Sequence, residues 1–344
     1  MTGRSDSGRP VDTRPAPVLP VGGGLLLVDK PSGCTSHDVV GRLRHVLRTR
    51  RIGHAGTLDP MATGLLVLAV DRSTKLLGHL ALTDKTYLAT IRLGQQTDTD
   101  DADGLIVASS PVAAVTDDAI AAGVAALTGP LLQVPSSVSA IKVDGRRAYE
   151  LVRAGETVEL AARPVTVSRF DIAGSPRRGE GEQGGFIDLD VQVECTTGTY
   201  IRSLARDLGT ALGVGGHLTR LRRDRVGPFD VRAAVDVFGI DSAPAAIDLA
   251  HQPERGRGGP PRQPVTESFA AAIAGALIPA ADAVRRTFPA RSVDPTQAEH
   301  LRHGRTIDAA GIDGTYAVFG LDGALIALAV ERDGVARSVL GWQT

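Results

Sequence analysis

The most unusual stretch of the sequence places one carboxylate in a turn-rich segment that follows a run of arginines. Residues 53–64 read GHAGTLDPMATG, and their glycines and proline favour tight turns that push side chains outward. Between Asp38 and Asp59 the sequence contains five arginines and no carboxylate. In such a positive field Asp59 is expected to stay ionised, which suits a nucleophile and not a general acid. The alternative interpretation is an Asp-Pro step that simply opens a turn.

Residues 53–64 resemble the catalytic motif of the TruB family of tRNA pseudouridine synthases, and three more segments match that family in the same order. Residues 27–33 (LVDKPSG) resemble its N-terminal motif, and residues 84–100 contain its tyrosine motif as DKTY and LGQQTDTD. Residues 198–204 (GTYIRSL) resemble its arginine motif. The similarity extends over residues 24–240. The resemblance implies a pseudouridine synthase, which is an isomerase, working with no metal and no cofactor.

The resemblance also implies a role for each matching residue. Asp59 corresponds to the catalytic aspartate, Tyr87 to a tyrosine that stacks on a flipped uracil, and Arg202 to an arginine that pairs with the aspartate. An aromatic face suits an extruded base, and a guanidinium offers a carboxylate a planar fork. The implied substrate contacts are His54, Tyr87, Tyr200 and Leu221. Without the motifs, Tyr87 would be interpreted as a core aromatic and Arg202 as a surface helix residue.

The implied reaction needs few side chains. The N1–C1′ bond of uridine breaks, the base turns, and it rejoins the sugar through C5. One carboxylate can assist by forming a covalent intermediate or by removing a sugar proton, and both routes fit the motif. No second carboxylic acid is obligatory, because the uracil leaving group delocalises its charge. The target implied by the family is uridine 55 in the T-arm loop of tRNA, which is reached by base flipping.

Basic residues in or near the family-like segments are predicted to contact RNA phosphates. These residues are Lys75, Lys142, Arg220, Arg222 and Arg223. The chain has only four lysines against 34 arginines, so an arginine cluster is weaker evidence than usual and a solvated face is the alternative. With 38 basic and 39 acidic residues the net charge is −1, which argues against a protein that coats nucleic acid through bulk charge.

Other function classes find less support. The two cysteines exclude a disulfide framework and a four-cysteine zinc site, and they fit a reducing compartment. Residues 99–104 resemble part of a calcium loop, but Thr99 and Ser110 occupy the first and twelfth positions, so we reject calcium. We expect a cytoplasmic monomer with no obligatory protein partner and no membrane contact. The alternatives are a tRNA-folding chaperone and a pseudouridine synthase that acts on a different RNA.

Hydrophobic periodicity predicts an α+β fold. Residues 187–195 alternate between apolar and polar side chains, which is typical of a half-buried strand. Apolar residues recur at helical spacing after Ser36, the predicted N-cap, and again from Ile201. We therefore expect residues 24–240 to form a pseudouridine synthase catalytic domain with a mixed, largely antiparallel sheet flanked by helices.

The remaining segments differ from this domain in composition. Residues 1–23 are predicted to be a disordered tail, and residues 241–267 a Pro/Gly-rich linker or insertion. Residues 268–288 are predicted to be a connecting helix. Residues 289–344 occupy the place of the family's PUA domain, a small β-barrel, and Asp322-Gly323 between two apolar stretches predicts a hairpin there.

Overall fold

The computed structural model describes residues 14–81, 83–136, 142–143, 145–147, 160–238 and 264–342. The strands in these residues are β1 (Gly24–Lys30), β2 (Ile52–Ala55), β3 (Thr63–Val70), β4 (Lys85–Leu93), β5 (Gln95–Thr97), β6 (Ile106–Ser109), β7 (Gly129–Gln133), β8 (Lys142–Val143), β9 (Arg146–Arg147), β10 (Arg163–Ile172), β11 (Arg177–Gly181), β12 (Gly184–Cys195), β13 (Gly216–Val226), β14 (Phe229–Asp230), β15 (Ile278–Pro279), β16 (Ala290–Val293), β17 (Ile307–Asp308), β18 (Tyr316–Gly320), β19 (Leu325–Arg332) and β20 (Val335–Gly341). The α-helices are α1 (Ser36–Leu47), α2 (Leu77–Leu80), α3 (Asp117–Ala126), α4 (Ile201–Ala211), α5 (Glu267–Gly275), α6 (Ala280–Thr287) and α7 (Pro295–Arg302). Two short 3-10 helices cover Asp71–Leu76 and Val231–Ala233.

A sheet of eleven strands forms the main scaffold. Its central order is β15-β1-β3-β13-β4-β12-β10-β7, and β2, β14 and β11 pair with β3, β13 and β12 respectively. The pairing of β13 with β3 is parallel and places Arg222 and Arg223 opposite Thr63 and Gly64. The other pairings between its described strands are antiparallel. The prediction of a mixed, largely antiparallel sheet is therefore confirmed.

The strand predicted from alternation lies next to the strand that carries Tyr87. Apolar residues of β12 are buried while their neighbours are partly exposed, as a period of two requires. β12 pairs with β4 from Ile187–Leu93 to Cys195–Lys85. On its other side β4 pairs with β13. The position of Tyr87 is thus fixed by a ladder on each side.

Helix α1 confirms the predicted apolar face but not the predicted cap. Thr35 is the N-cap: its hydroxyl accepts the N–H of Asp38 at 3.1 Å, and the Asp38 carboxylate accepts the N–H of Thr35 at 2.9 Å. Ser36 is buried instead, and its hydroxyl bonds the backbone of Leu58. The buried face consists of Val39, Val40, Leu43, Val46 and Leu47.

Apolar side chains cover both faces of the sheet. One cluster joins the inward faces of α1 and α4 to β4 and β12. A second cluster lies on the opposite face, where Leu25 and Leu27 of β1 pack with Phe319, Leu328 and Trp342. The C-terminal part of the chain thus packs on the large sheet through β1.

Residues 290–341 form the predicted C-terminal β module. Five strands lie in the order β16-β18-β19-β20-β17 and make a curled half-barrel that is consistent with a PUA-like domain. β18 and β19 pair antiparallel around Asp322-Gly323, and Gly323 has a φ of +79°, a conformation that glycine adopts readily. The predicted hairpin is therefore present.

The segment predicted as one connecting helix contains two helices with a strand between them. α5 ends at Gly275 and α6 begins at Ala280, and the two residues of β15 extend the large sheet by pairing with Gly24 and Leu25. Pro279 has no N–H group and cannot continue a helix, so a single helix through this point is disfavoured. The segment therefore contributes a strand to the main sheet and also connects that sheet to the C-terminal module.

The predicted tail and linker lie partly beyond the described residues. Residues 1–13 and 239–263 are outside them. Residues 14–23 contain no helix or strand, but Leu19 packs against the first apolar cluster, so this end of the predicted tail lies on the domain. No helix in the described part of the chain has both the length and the apolar character needed to cross a bilayer.

Candidate active site

Asp59 lies in the turn between β2 and β3, and two buried side chains hold the backbone on either side of it. Ser36 Oγ accepts the N–H of Leu58 at 3.0 Å and is 3.2 Å from the Leu58 carbonyl, to which it donates. Lys30 Nζ donates to the carbonyl of Pro60 at 3.3 Å. Both contacts come from the segment that resembles the family's N-terminal motif or follows it directly. That segment therefore fixes the backbone that carries the carboxylate.

Arg202 binds both carboxylate oxygens of Asp59. Its Nε lies 3.0 Å from Oδ2, and its Nη2 donates to Oδ1 at 3.2 Å. The Arg202 side chain is only 4% exposed, whereas the Asp59 side chain is 34% exposed. This two-point contact orients the carboxylate while one side of it remains open to solvent. The structure thus brings together the two residues that the resemblance predicts to pair.

The guanidinium of Arg202 has further partners in the chain segments after β5 and after β7. Its Nη1 donates to the Thr99 carbonyl at 2.9 Å and to Ser136 Oγ at 3.2 Å, and lies 3.5 Å from Asp101 Oδ2. Asp101 is buried, so Arg202 is shared between two carboxylates. Sequence reasoning missed Asp101, and its position just after the tyrosine motif was the only available signal.

The acidic stretch that resembles a calcium loop, residues 99–104, therefore forms ion pairs with the arginines of α4. Arg206, one helical turn after Arg202, lies 3.3 Å from Asp100 Oδ2. Burial raises the pKa of the Asp100 carboxyl, and the charge of Arg206 acts in the opposite direction. The stretch positions Arg202 through ion pairs and backbone carbonyls.

Tyr87 lies on β4 between Val193 on β12 and Arg223 on β13. It is 8% exposed and belongs to the first apolar cluster. Burial raises the pKa of its phenol, while the charge of Arg223 and a hydrogen bond to that side chain act in the opposite direction. The phenol is therefore neutral at physiological pH.

His54 lies on β2, close to the Asp59 turn in sequence. Its ring is perpendicular to that of His37, with the centroids 6.1 Å apart. Burial lowers the pKa of His54, and the charges of His37 and Arg223 lower it further, so the ring is neutral near pH 7. Its Nδ1 is buried without a hydrogen-bond partner among the described residues. An unsatisfied buried nitrogen is unusual and suits a polar group of a substrate.

Tyr200 and Leu221 are the other predicted substrate contacts. Tyr200 is the N-cap of α4, and its N–H and carbonyl bond the amide of Gln133 at 2.8 and 3.1 Å. This contact ties the start of the helix that carries Arg202 to β7. Leu221 is buried on β13, and its carbonyl accepts a hydrogen bond from the Thr63 hydroxyl at 3.5 Å.

Among the predicted RNA-backbone contacts, Arg223 is contradicted by the structure. It is 1% exposed and bonds backbone carbonyls inside the protein, so it cannot reach a phosphate. Arg222 is partly exposed and makes a two-point pair with Asp29, at 3.0 and 2.7 Å. Arg220 lies half-buried on the same strand. Lys142 begins β8, and its side chain is outside what the structure describes.

A basic cleft contains Lys75, the remaining predicted contact. It has a volume of about 620 Å³ and is lined by residues of both the catalytic part and the C-terminal module. Its basic side chains are Arg50, Arg51, Arg72, Lys75 and Arg302. Asp71 is the acidic residue of the lining and pairs with Arg51 at 3.1 Å. The excess of positive charge suits a phosphate backbone.

Three family models match the chain. The N-terminal domain model of the TruB family of pseudouridylate synthases matches residues 44–201. The C-terminal domain model of tRNA pseudouridylate synthase B matches residues 202–247, and the C-terminal model of tRNA pseudouridine synthase II matches residues 288–342. Together these models account for most of the sequence.

Curated relatives and solved structures agree with these matches. The chain is 53% identical to tRNA pseudouridine synthase B of Rhodococcus jostii (strain RHA1), over 93% of this chain and 94% of that protein. It is 54% identical to the protein of that name from Nocardia farcinica (strain IFM 10152), over 90% of each chain. A Cbf5-Nop10-Gar1 complex shares the fold, with a TM-score of 0.62 and 24% identity over 92% of this chain and 83% of that chain. The chain belongs to the TruB family and is a pseudouridine synthase, an isomerase.

Proposed function

We propose that the enzyme converts uridine 55 in the T-arm loop of tRNA to pseudouridine. The relatives named tRNA pseudouridine synthase B support tRNA as the substrate, and the resemblance of the four motifs supports position 55. The observation that carries the proposal is the pair between Asp59 and Arg202, in which both carboxylate oxygens are bound and the carboxylate is still one-third exposed. This arrangement supplies an oriented and accessible carboxylate.

Asp59 is the catalytic residue in this proposal. Its carboxylate either adds to C1′ of the nucleotide or removes a sugar proton, and the N1–C1′ bond breaks with its electron pair on uracil. The base turns and C5 bonds to C1′, while the bond between Asp59 and C1′ breaks or, in the other route, Asp59 returns the proton to the sugar. C5 then loses its hydrogen as a proton, and N1 gains one. The product is an isomer of the substrate, so no oxidant or reductant is consumed. Arg202 orients the Asp59 carboxylate for either route.

The flipped uracil is held by the residues around the Asp59 turn. Tyr87 supplies the aromatic ring on which the base stacks, and Leu221 supplies apolar surface on the neighbouring strand. His54 presents a neutral ring beside the Asp59 turn. Tyr200 contacts the substrate at the start of α4. These roles follow from the resemblance and from the placement of the four residues around Asp59 and Arg202.

The RNA backbone runs across the basic cleft that contains Lys75 and Arg302. A phosphate chain in this position would contact the catalytic part and the C-terminal module at the same time. We further propose that the chain works as a cytoplasmic monomer without a protein partner. The assay below uses the purified chain alone and therefore tests whether a protein partner is needed.

The test is tritium release from unmodified tRNA that carries [5-³H]uridine. C5 loses its hydrogen only when the base is reattached through that carbon, so release reports the isomerisation itself. The wild type should release tritium, Asp59→Ala should not, and tRNA with cytidine at position 55 should give no release. Asp118→Ala removes an exposed carboxylate in the first turn of α3 and is the control.

The other outcomes are informative. Release by both the wild type and Asp59→Ala would retain the enzyme and reject Asp59 as the catalytic residue. Release from the cytidine-55 tRNA would reject position 55. If the wild type binds tRNA without releasing tritium, a tRNA-folding chaperone or a synthase for a different RNA becomes the better description.

A further inference from the structure

Arg223 lies against the Asp59 turn and contacts its backbone on both sides of the catalytic residue. Its Nη2 donates to the Gly56 carbonyl at 3.0 Å, and its Nη1 donates to the Thr57 carbonyl at 3.5 Å. Its Nε donates to the Leu65 carbonyl at 2.7 Å. The chain therefore contacts this guanidinium at residues 56–57, before Asp59, and again at residue 65, after it.

The backbone of Arg223 is fixed as closely as its side chain. On β13 it pairs with Gly64 at the end of the turn and with Tyr87 on the next strand. Gly64 has a φ of +99°, and a Cβ at this position would lie 2.3 Å from the Arg223 carbonyl oxygen. Only glycine permits this approach. One residue thus contacts both ends of the catalytic turn and the strand position of the stacking tyrosine.

Arg223 lies opposite Tyr87 in the ladder between β13 and β4, and its charge acts to lower the pKa of the phenol, against the effect of burial. A guanidinium has five donors in one plane, so it can bridge several carbonyls at once. An ammonium group has one nitrogen and cannot span the same set of acceptors. The contacts of Arg223 therefore depend on its shape and not only on its charge.

The burial of this cation is expensive. Arg223 is 1% exposed, and among the described residues it has no carboxylate within ion-pair distance. Lys30 and Lys85 are also buried near it. Burying charges without counter-charges lowers stability, so packing alone does not account for an arginine here.

We infer that Arg223 is a positioning residue for the isomerisation, which holds the Asp59 turn and the Tyr87 ring in a fixed relation to each other. The inference rests on the proposed function, in which Asp59 attacks or deprotonates the nucleotide while Tyr87 stacks on its base. Asp59 lies in the turn between β2 and β3 and Tyr87 lies on β4, and Arg223 contacts both of these segments. A small change in their separation would misalign the sugar relative to the base.

The test compares Arg223→Met with the matched control Arg42→Met. Arg42 is also buried and donates to a backbone carbonyl, but that carbonyl belongs to Val237, at 2.9 Å, and not to the Asp59 turn. The single-turnover rate of tritium release at saturating tRNA should fall about 100-fold in Arg223→Met, as expected for a misplacement of about 1 Å. The Kd for tRNA should be unchanged. Arg42→Met should lower Tm while each folded molecule keeps the wild-type rate.

Arg223→Lys separates shape from charge and also serves if Arg223→Met does not fold. Because one ammonium cannot bridge the carbonyls of Gly56 and Leu65, this variant should remain slow. A folded Arg223→Met or Arg223→Lys with the wild-type rate would overturn the inference. So would a rate loss that is matched by Arg42→Met. An inactive wild type would instead overturn the proposed function, so the two failures are distinguishable.

Discussion

The candidate active site and the core of the C-terminal module bury different kinds of side chain. Around the Asp59 turn the protein buries charged side chains, namely Lys30, Lys85, Asp101, Arg202 and Arg223. In the described residues 264–342 no charged side chain is buried, and the module's own core is made of residues such as Val293, Val318 and Ile326. Buried charge lowers stability unless it is well paired, whereas apolar packing raises it. The protein therefore loses stability at the candidate active site and gains it by packing elsewhere.

Among the changes considered, removal of Arg202 should have the largest effect, because both activity and stability depend on this side chain. In Arg202→Met the buried carboxylate of Asp101 loses its ion pair, which should lower the free energy of unfolding by about 3–5 kcal/mol. The rate of tritium release should fall at least about 10³-fold, because Asp59 is no longer oriented. Urea denaturation and single-turnover assays measure the two effects.

Arg206→Met is the control for this change. Arg206 pairs with Asp100 but leaves the pair between Asp59 and Arg202 intact. It should reduce stability and retain most of the activity. Wild-type turnover by folded Arg202→Met would contradict the role assigned to the pair.

A truncation in the core of the C-terminal module should affect stability alone. Ile326 is 1% exposed inside that core, so Ile326→Ala should cost about 2–5 kcal/mol of unfolding free energy. The rate of tritium release per folded molecule should not change at saturating tRNA. A slower rate in the folded fraction would show that the module takes part in the chemistry.

The pH dependence of stability should differ between the two regions. Burial lowers the pKa of Lys30 from 10.5 to about 8, so between these pH values the unfolded chain binds more protons at this position than the folded protein. The contribution of Lys30 to stability therefore increases as pH rises through this window. Relative to Lys30→Met, the wild type should gain up to about 3 kcal/mol between pH 8 and pH 10.5.

Urea denaturation of both proteins across the window measures this gain. Ile326→Ala is the matched control, because it removes no titratable group, and its difference from the wild type should stay constant with pH. A constant difference for Lys30→Met as well would mean that Lys30 is protonated to the same extent in the folded and unfolded states.

The smallest effect is expected at the cleft where the two regions meet. Lys75→Gln removes one cation from the lining, so the slope of log K against log salt for tRNA binding should decrease in magnitude by about 1. Arg302→Gln, on the side of the module, should behave in the same way. Binding titrations at several salt concentrations measure the slopes. An unchanged slope in both variants would place the RNA backbone outside this cleft.

The sequence predicts much of the fold because periodicity survives wherever one face of an element is buried. The alternation in β12, the apolar face of α1 and the Asp322-Gly323 hairpin all follow from local patterns. The pairing of Asp59 with Arg202 does not follow from a local pattern. It joins residues 143 positions apart, and the family motifs were needed to predict it.

The errors arise where local patterns are ambiguous. β13 has arginines at positions 220, 222, 223 and 225, and its register shifts twice within that stretch, so alternation cannot tell which of them is buried. Arg223 was therefore interpreted as a phosphate contact. Asp101 lies in an acidic run in which each carboxylate looks solvated, and only the approach of α4 distinguishes it. Ser36 and Thr35 are both good caps, and the contact of Ser36 with Leu58 is not local.

The packing of β1 against the C-terminal module determines when this strand can be buried during synthesis. β1 carries Lys30, and one of its faces is covered by Phe319, Leu328 and Trp342, while the indole of Trp342 also lies against Gly22. A ribosome makes β1 roughly 300 residues before it makes its cover. During synthesis this apolar face of β1 therefore stays exposed to water until the C-terminal module has been made. The apolar face of β1 is therefore fully covered only once Trp342 has been made.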